Sequence, residues 1–167
     1  MQRVRGPFNL SINQECGLLI EGFDTPPYFL MGHAPAYYGQ RVSECGFAKA
    51  KDLIAYTYEF ADGLPKKAQA LLEKGADKRV GVRVRPLDRR HFDRDLAAIV
   101  DIFNDAWSSN WGFVPFTDDE VRQMGKDLRP IVRDRFISIA EIDGEPVAMA
   151  VSLPNVNEAI ADLNGRL

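Results

Sequence analysis

The stretch F-I-S-I-A-E-I-D-G-E-P-V-A-M-A-V-S-L, residues 136–153, decides the fold of this chain. Apolar and polar residues alternate on both sides of Asp143-Gly144, and an Asp-Gly pair between such segments is typical of a two-residue hairpin turn. The pattern predicts one strand over Phe136–Ile142 and a second over Pro146–Leu153, which Pro154 ends. The sequence therefore predicts an antiparallel hairpin.

Upstream of this hairpin, the sequence predicts a strand and two helices. Val80–Pro86 alternates as a strand does. Thr117-Asp-Asp-Glu120 is a capping box that opens a helix, and Pro130 limits where that helix ends. Between these segments, Phe92–Trp107 has apolar residues at helical spacing: Leu96, Ile99, Val100, Ile102, Phe103 and Trp107.

The first sixty residues contain one small pattern twice. Asn13–Glu21 and Pro35–Cys45 are predicted as short helices, and each precedes a Gly-Phe pair that fits a left-handed helix cap. A strand is predicted after each cap, over Tyr28–Met31 and over Ala50–Phe60. This half of the chain is therefore predicted to alternate short helices with short strands.

A connecting helix is predicted over Leu64–Lys74, with Pro65 in its first turn and Gly75 at its end. We place the domain boundary there: residues 1–60 form one part, 61–78 a linker with its helix, and 79–167 a second part. The last segment, Asn155–Leu167, has apolar residues at helical offsets and is predicted to be either helical or frayed.

The composition favours a globular protein in a reducing compartment. Of 167 residues, 46% are hydrophobic, and the formal net charge of −3 gives no reason to expect nucleic acid or an anionic membrane as a partner. No apolar run has the length of a signal peptide or a membrane span. Two cysteines, Cys16 and Cys45, do not make a disulfide framework. We therefore expect a cytoplasmic protein.

Three longer motifs resemble a known group of proteins. N-D-A-W-S-S-N-W-G-F-V-P-F-T (104–117), R-G-P-F-N-L-S-I-N-Q-E-C-G-L-L-I-E-G-F-D-T-P-P (5–27) and I-A-E-I-D-G-E-P-V-A (139–148) are similar to segments of bacterial tandem GNAT-like proteins. The resemblance implies an α/β (α+β) fold, a mixed sheet flanked by helices. It also implies that residues 1–60 end one GNAT-like domain and residues 79–167 open the next, so that the chain comprises two partial lobes.

The resemblance implies an activity for the intact protein, which is acyl transfer from acetyl-CoA or another acyl-CoA to a small-molecule amine. GNAT domains hold the pyrophosphate of the donor in a glycine-rich loop at a helix N-terminus. The nearest match here, Arg3–Phe8, has Phe8 in place of the last glycine, and Pro7 lacks an N–H group. We therefore expect this chain alone to be inactive.

The candidate site residues follow from the same resemblance. Glu141 is the candidate general base or a solvent-facing hairpin charge, and Tyr38 is a candidate general acid or a packing residue. Val151, Ser152 and Leu153 either offer backbone groups to the acyl chain or form an ordinary core strand.

Two aromatic residues and the absence of ligand clusters complete the expectations for the site. Trp111 and Phe113 lie in the loop that borders the acceptor pocket in GNAT domains, or they pack in the core. His33 and His91 have no Cys or carboxylate at metal-ligand spacing, so no metal site is predicted.

Two other functions remain open from the sequence. One is a non-catalytic GNAT-like binding module, and the other is an aminoacyl transferase that uses charged tRNA, which the acidic balance disfavours. The expected partners are the flanking segments of the same protein. Because incomplete sheets leave open edges, self-association is also expected. Residues 50–60 and 136–153 would pair in a single-sheet arrangement and would not pair in two lobes.

Overall fold

The computed structural model describes residues 3–59, 61, 63–75 and 81–166. Contacts between Cα atoms divide the chain into two compact units. The first comprises Met1–Leu53, Ser108–Phe116 and Leu153–Leu167, and the second comprises Ile54–Trp107 and Thr117–Ser152. These units are discontinuous in sequence, whereas the boundaries predicted above are continuous. Compact units defined by contacts need not coincide with domains defined by sequence relationship, so the predicted domain boundaries remain a prediction.

The first unit begins with a short antiparallel pair. β1 (Phe8–Asn9) pairs with β2 (Glu15–Cys16), and the intervening turn places Leu10 at φ 71°. The helix predicted over Asn13–Glu21 is therefore wrong. Gly17 explains the difference, because it adopts φ 83° and donates its N–H to the carbonyl of Pro7 at 3.0 Å, which closes the β1–β2 loop.

The second predicted short helix is present. α1 spans Tyr38–Glu44, within the predicted Pro35–Cys45. Its end has the geometry of a Schellman motif: Gly46 adopts φ 84° and donates to the carbonyl of Ser43 at 2.9 Å, while Phe47 donates to that of Val42 at 3.3 Å. The Gly-Phe signal therefore predicted this cap correctly.

The two strands predicted in the first sixty residues are wrong where the structure describes them. Tyr28–Met31 forms a turn, in which Met31 donates its N–H to the carbonyl of Tyr28 at 3.1 Å and Leu30 adopts φ 61°. Residues 50–59 have no ladder partner among the described residues, and Phe60 lies outside them. Residues with high strand propensity form a strand only where a neighbouring strand pairs with their backbone groups.

The second unit contains the connecting helix and a three-stranded antiparallel sheet. α2 (Lys66–Gly75) agrees with the helix predicted there. β3 (Val82–Pro86), α3 (Phe92–Trp107), α4 (Asp118–Leu128), β4 (Ile137–Ile142) and β5 (Glu145–Val151) follow in chain order. The strand order is β3-β4-β5. β4 therefore lies at the centre, and β3 and β5 are the edges within the described residues.

Local signals fix the elements of this unit. The capping box is formed: the Thr117 side chain accepts the N–H of Glu120, and the Glu120 carboxylate accepts the N–H of Thr117 at 2.8 Å. The hairpin turn has φ 53° at Asp143 and φ 86° at Gly144, as a type I′ turn requires. The predictions of both helices and of the hairpin are thus confirmed.

One irregularity interrupts the hairpin. Ala140 lies opposite Ala148, whereas Glu141 lies opposite Pro146, so Val147 has no partner across the ladder. Pro146 cannot donate a backbone hydrogen bond, and a bulge is one of the few positions in a sheet that tolerates proline. The bulge shifts the register at Glu141.

The core of the second unit lies between the sheet and its helices. Ile139 in the middle of β4 is 0% exposed, and α3 packs on β5 and on α4. Gly125 allows the two helices to approach closely, because a Cβ atom there would lie 2.7 Å from Cδ2 of Leu96. Among the described residues, the other buried apolar side chains are Leu87, Ile99, Val100, Val132 and Ile137.

The tail completes the first unit. α5 (Val156–Ala159) is helical, as one of the two predictions for this segment had it. The Asn157 amide donates to the carbonyl of Pro27 at 2.9 Å, and the Asn155 side chain accepts the N–H of Phe29 at 3.1 Å. The Asn13 amide donates to the carbonyl of Val114 at 2.9 Å. Side-chain amides therefore join the three segments of this unit.

The protein has a mixed α+β fold, and its described residues form helices and two small antiparallel sheets, which confirms the predicted fold class. The GNAT-like arrangement of the elements remains a prediction. None of the helices in the described parts of the chain combines the length and apolarity that crossing a membrane would require.

We predict that Ile139→Ala destabilises the chain by about 2–5 kcal/mol, because the deletion leaves a cavity in a side-chain site that is fully buried. Val147→Ala is the control: its side chain is 48% exposed at the bulge, and the expected loss is below about 1 kcal/mol. Denaturant unfolding of both variants measures the difference, and equal losses would contradict the placement of the core.

Candidate functional site

A cluster of buried charges joins β3, α3 and β4 in the second unit. The Arg85 guanidinium donates to Asp95 through two nitrogens, at 2.6 and 2.9 Å, and its Nε donates to the Glu141 carboxylate at 2.6 Å. Arg94 also donates to Asp95, at 3.0 Å, and the backbone N–H of Asp88 donates to it at 2.9 Å. Together these contacts satisfy the cluster's carboxylates and its central guanidinium.

The sequence positions each member of this cluster for a local reason. Arg85 lies opposite Ile139 in the ladder, so it shares a face of the sheet with that buried residue, and Glu141 lies two residues further along the same face. Asp95 is in the first turn of α3, where the helix dipole favours a negative charge. Strand alternation and helix geometry thus bring the three side chains together.

The environment of Asp95 determines its protonation. Its side chain is 1% exposed, and this burial by itself would raise the pKa. The hydrogen bonds from the Arg85 side chain, the Asp88 N–H and the Arg94 side chain outweigh burial and lower the pKa from 3.8 to about 2. The pKa of Arg85 is raised, first by its hydrogen bond with Asp95 and next by that with Glu141. Asp95 and Arg85 are therefore both charged at neutral pH.

Glu141 is the predicted site residue that this cluster contains. Its side chain is 12% exposed and accepts a hydrogen bond from a permanently charged guanidinium. The alternative prediction of a solvent-facing hairpin charge is therefore wrong, because strand alternation places Glu141 on the same face as Ile139 and Arg85. Its role as a general base remains a prediction.

The predicted acyl-chain strand is only partly as expected. Val151 ends β5 opposite Ile137. The Ser152 N–H donates to the carbonyl of Phe136 at 2.8 Å, so this group continues the ladder and is engaged within the hairpin. Leu153 belongs to the first unit. Contact of these residues with an acyl chain stays a prediction.

The other predicted site residues lie in the first unit. Tyr38 opens α1, and its ring contacts the edge of Tyr37 with ring centroids 5.0 Å apart. Trp111 is stacked beneath the Arg5 guanidinium, 5.2 Å from the ring centroid. Phe113 donates its N–H to the carbonyl of Asn110 at 3.1 Å, in a turn. The roles of Tyr38, Trp111 and Phe113 towards a substrate stay predictions.

The nearest sequence match to a pyrophosphate loop does not have the geometry of one. Arg3–Phe8 leads into β1, where a pyrophosphate loop would lead into a helix, and Pro7 accepts a hydrogen bond through its carbonyl. This segment therefore does not fit the pyrophosphate of an acyl-CoA. Across the described residues, no group of three or more His, Cys, Asp or Glu side chains is arranged to hold a metal ion.

Sequence reasoning missed Arg85 and Asp95. A signal existed for Asp95, because it lies three residues after Phe92 and four before Ile99, on the face of α3 that carries the apolar residues. A buried acidic residue on an apolar helix face has to be compensated by hydrogen bonds or by a cation. The strand that supplies that cation could be found only from the pairing of β3 with β4.

Comparison with known proteins gives two relatives. The chain is 51% identical over 162 residues to a Caulobacter vibrioides protein named bacterial ceramide synthase, an alignment that covers 97% of this chain and 42% of that protein. It is 46% identical over 165 residues to Protein YghO of Escherichia coli, covering 99% of this chain and 42% of that protein. The chain thus spans 42% of the length of each of these curated relatives.

Neither of two further comparisons gave a match. No family model matches the chain. No solved structure matches it.

We predict that Asp95→Asn destabilises the chain at neutral pH by about 3–5 kcal/mol. The substitution removes the buried negative charge that receives Arg85, Arg94 and the Asp88 N–H, and within the described residues it leaves Arg85 with one carboxylate partner, Glu141. The folded pKa of Asp95 lies below its unfolded value. Its charged form therefore stabilises the fold above pH 4, and this contribution is lost as pH falls towards 2. The difference in free energy of unfolding between the unaltered chain and the Asp95→Asn variant should thus narrow by about 2 kcal/mol over that range. Urea unfolding at a series of pH values measures it; a constant gap would contradict the assignment.

Proposed function

We propose that this chain is part of an N-acyltransferase that transfers an acyl group from acyl-CoA to the amine of a long-chain amino alcohol. The observation that carries the proposal is the 51% identity, over 97% of this chain, to a protein named bacterial ceramide synthase. A ceramide is an amide of a fatty acid with a long-chain amino alcohol, so the synthesis of a ceramide requires acylation of an amine.

The reaction proposed is a direct acyl transfer. The amine nitrogen attacks the thioester carbonyl, a C–N bond forms, and the C–S bond breaks. The amine proton passes to a general base, and the departing thiolate of coenzyme A takes up a proton. This route requires a base beside the amine and an acid beside the sulfur. The resemblance to GNAT domains offers Glu141, in the second unit, as a candidate base. Tyr38, in the first unit, is a separate candidate for the acid.

The fold supports this proposal without supplying the whole site. The second unit contains, in chain order, a strand, two helices and a hairpin, which is the order that the resemblance to GNAT domains implies, and it includes the buried cluster around Arg85. Arg3–Phe8 does not fit the pyrophosphate of the donor. Because the chain covers 42% of its relatives, we assign the activity to the longer protein, with the donor bound by parts outside this sequence. We place the enzyme in the cytoplasm, where its free thiols Cys16 and Cys45 stay reduced.

The test uses the longer protein that contains this chain. The purified protein, given an acyl-CoA and a long-chain amino alcohol in detergent, should release coenzyme A and form the N-acyl product, both measured by mass spectrometry. Acyl-CoA binding without turnover would favour the non-catalytic binding module. Product formed only from aminoacyl-tRNA would favour the aminoacyl transferase.

In that protein, we predict that Glu141→Gln lowers kcat about 100-fold or more, as expected when a general base is lost. The variant should still fold, because Arg85 keeps both hydrogen bonds to Asp95. Glu145→Gln is the matched control, an exposed glutamate on the other strand of the hairpin, and should retain activity. If Glu141→Gln folds and keeps full kcat, Glu141 serves only as a partner of Arg85.

A further inference from the structure

The second unit carries a surface rich in arginine beside the start of α3. Two adjacent concavities share Arg89: one of about 200 Å³ extends over residues 89–94 and Arg129, and a wider one of about 360 Å³ is lined by Arg133, Asp134 and Arg135. We call this surface the arginine face. It is defined by Arg89, Arg90, Arg94, Arg129, Arg133 and Arg135, all of which are exposed.

Two of these arginines are occupied by acidic partners. The Arg89 guanidinium is bonded to Asp134 and donates to the carbonyl of Val132 at 2.8 Å. Arg94 donates to Asp95, which also receives Arg85. These two arginines stabilise the surface, and neither offers its full hydrogen-bonding capacity to a ligand.

The other four arginines present their charge outwards. Within the described residues, no hydrogen bond or ion pair engages the guanidinium groups of Arg90 and Arg133. Arg129 lies over the ring of Phe92 and Arg135 over that of Phe136, each with 5.2 Å between the guanidinium carbon and the ring centroid. Stacking fixes a guanidinium without consuming its N–H donors.

Acidic groups do not neutralise this face. Asp88 holds His91 at 2.8 Å and the N–H of Arg90 at 2.9 Å, and Asp134 is bonded to Arg89. Asp93 is the acidic residue that lines the first concavity, beside Arg90 and Arg129. The chain as a whole has a formal net charge of −3, so the positive charge is local to this surface.

We propose that the arginine face docks the protein on an anionic lipid bilayer. The face is broad and shallow, with charges spread over two open concavities, which fits a plane of headgroups better than a single enclosed anion. The inference rests in part on the proposed function, because an enzyme that acylates a long-chain amine meets its acceptor at a membrane. It differs from the expectation drawn from net charge, since average charge says nothing about where the arginines lie.

Attraction of this kind has a known size. Each basic residue near an anionic surface contributes about 1 kcal/mol, and the contribution is screened by salt. Neutralising two of the outward arginines should therefore weaken binding about 30-fold, and raising the salt concentration should weaken binding of the unaltered chain.

The experiment measures co-sedimentation of the full 167-residue chain with vesicles of equimolar phosphatidylglycerol and phosphatidylcholine, and with pure phosphatidylcholine vesicles. The unaltered chain should bind the anionic vesicles and not the neutral ones. Arg90→Gln combined with Arg133→Gln should bind about 30-fold more weakly. The control combines Arg41→Gln with Arg122→Gln, which changes the net charge equally at two exposed arginines elsewhere, and should bind as the unaltered chain does.

Several results would overturn the proposal. Equal weakening in the control pair would show that net charge alone matters, and absence of binding to anionic vesicles would remove the docking surface. Arg90→Lys with Arg133→Lys keeps the charge and should keep the binding. Loss of binding in this pair, or displacement by inorganic phosphate at constant ionic strength, would point to a pocket for a soluble phosphate. Circular dichroism shows whether each variant is folded.

This test is independent of catalysis. Vesicle binding requires neither acyl donor nor amine, and the activity assay above is performed in detergent. If the chain binds anionic vesicles but the longer protein does not catalyse N-acylation, only the proposed function is refuted. If the longer protein catalyses N-acylation but the chain does not bind vesicles, only the docking surface is refuted.

Discussion

The contact between Arg85 and Asp95 is the interaction on which the second unit depends. It joins the first strand of the sheet to the first turn of α3, and Glu141 extends it to the central strand. A buried ion pair adds little net stability when it is complete, because desolvation of both charges offsets their attraction. Removing one member is costly, since the remaining charge stays buried. The complete cluster therefore adds little to the total free energy of folding, whereas breaking it is costly.

The arrangement of this cluster also limits its chemistry. Glu141 is held at 2.6 Å by a guanidinium that is charged at all relevant pH values, and it is only slightly exposed. A carboxylate held in this way has a fixed orientation, which a catalytic base requires and a purely structural partner requires equally. Replacing Glu141 by the neutral glutamine separates the two roles. Catalysis by a base requires the negative charge of Glu141, whereas the fold does not, because Asp95 still neutralises Arg85.

The arginine face shows a different use of the same residue type. Arg85 is enclosed by carboxylates, whereas Arg90 and Arg133 have no such partners within the described chain, and Arg129 lies over an aromatic ring. These arginines come from the turn that precedes α3 and from the segment between α4 and β4, and tertiary structure brings them to one surface. A formal net charge of −3 hides this surface, since the compensating acidic residues lie elsewhere.

The sequence by itself determined the elements whose signals are local. The Thr117 capping box, the Asp143-Gly144 turn, the apolar spacing of α3 and the glycine cap of α1 each depend on residues a few positions apart, so each could be predicted. Only the tertiary structure decided the partners. Segment 13–21 is predicted as a helix and instead contains β2, because a short isolated helix is marginal and a neighbouring strand is available. Segments 28–31 and 50–59 are predicted as strands and do not pair with a neighbouring strand among the described residues. The pairing of Arg85 with Asp95 likewise depends on long-range packing, which no spacing in the chain encodes.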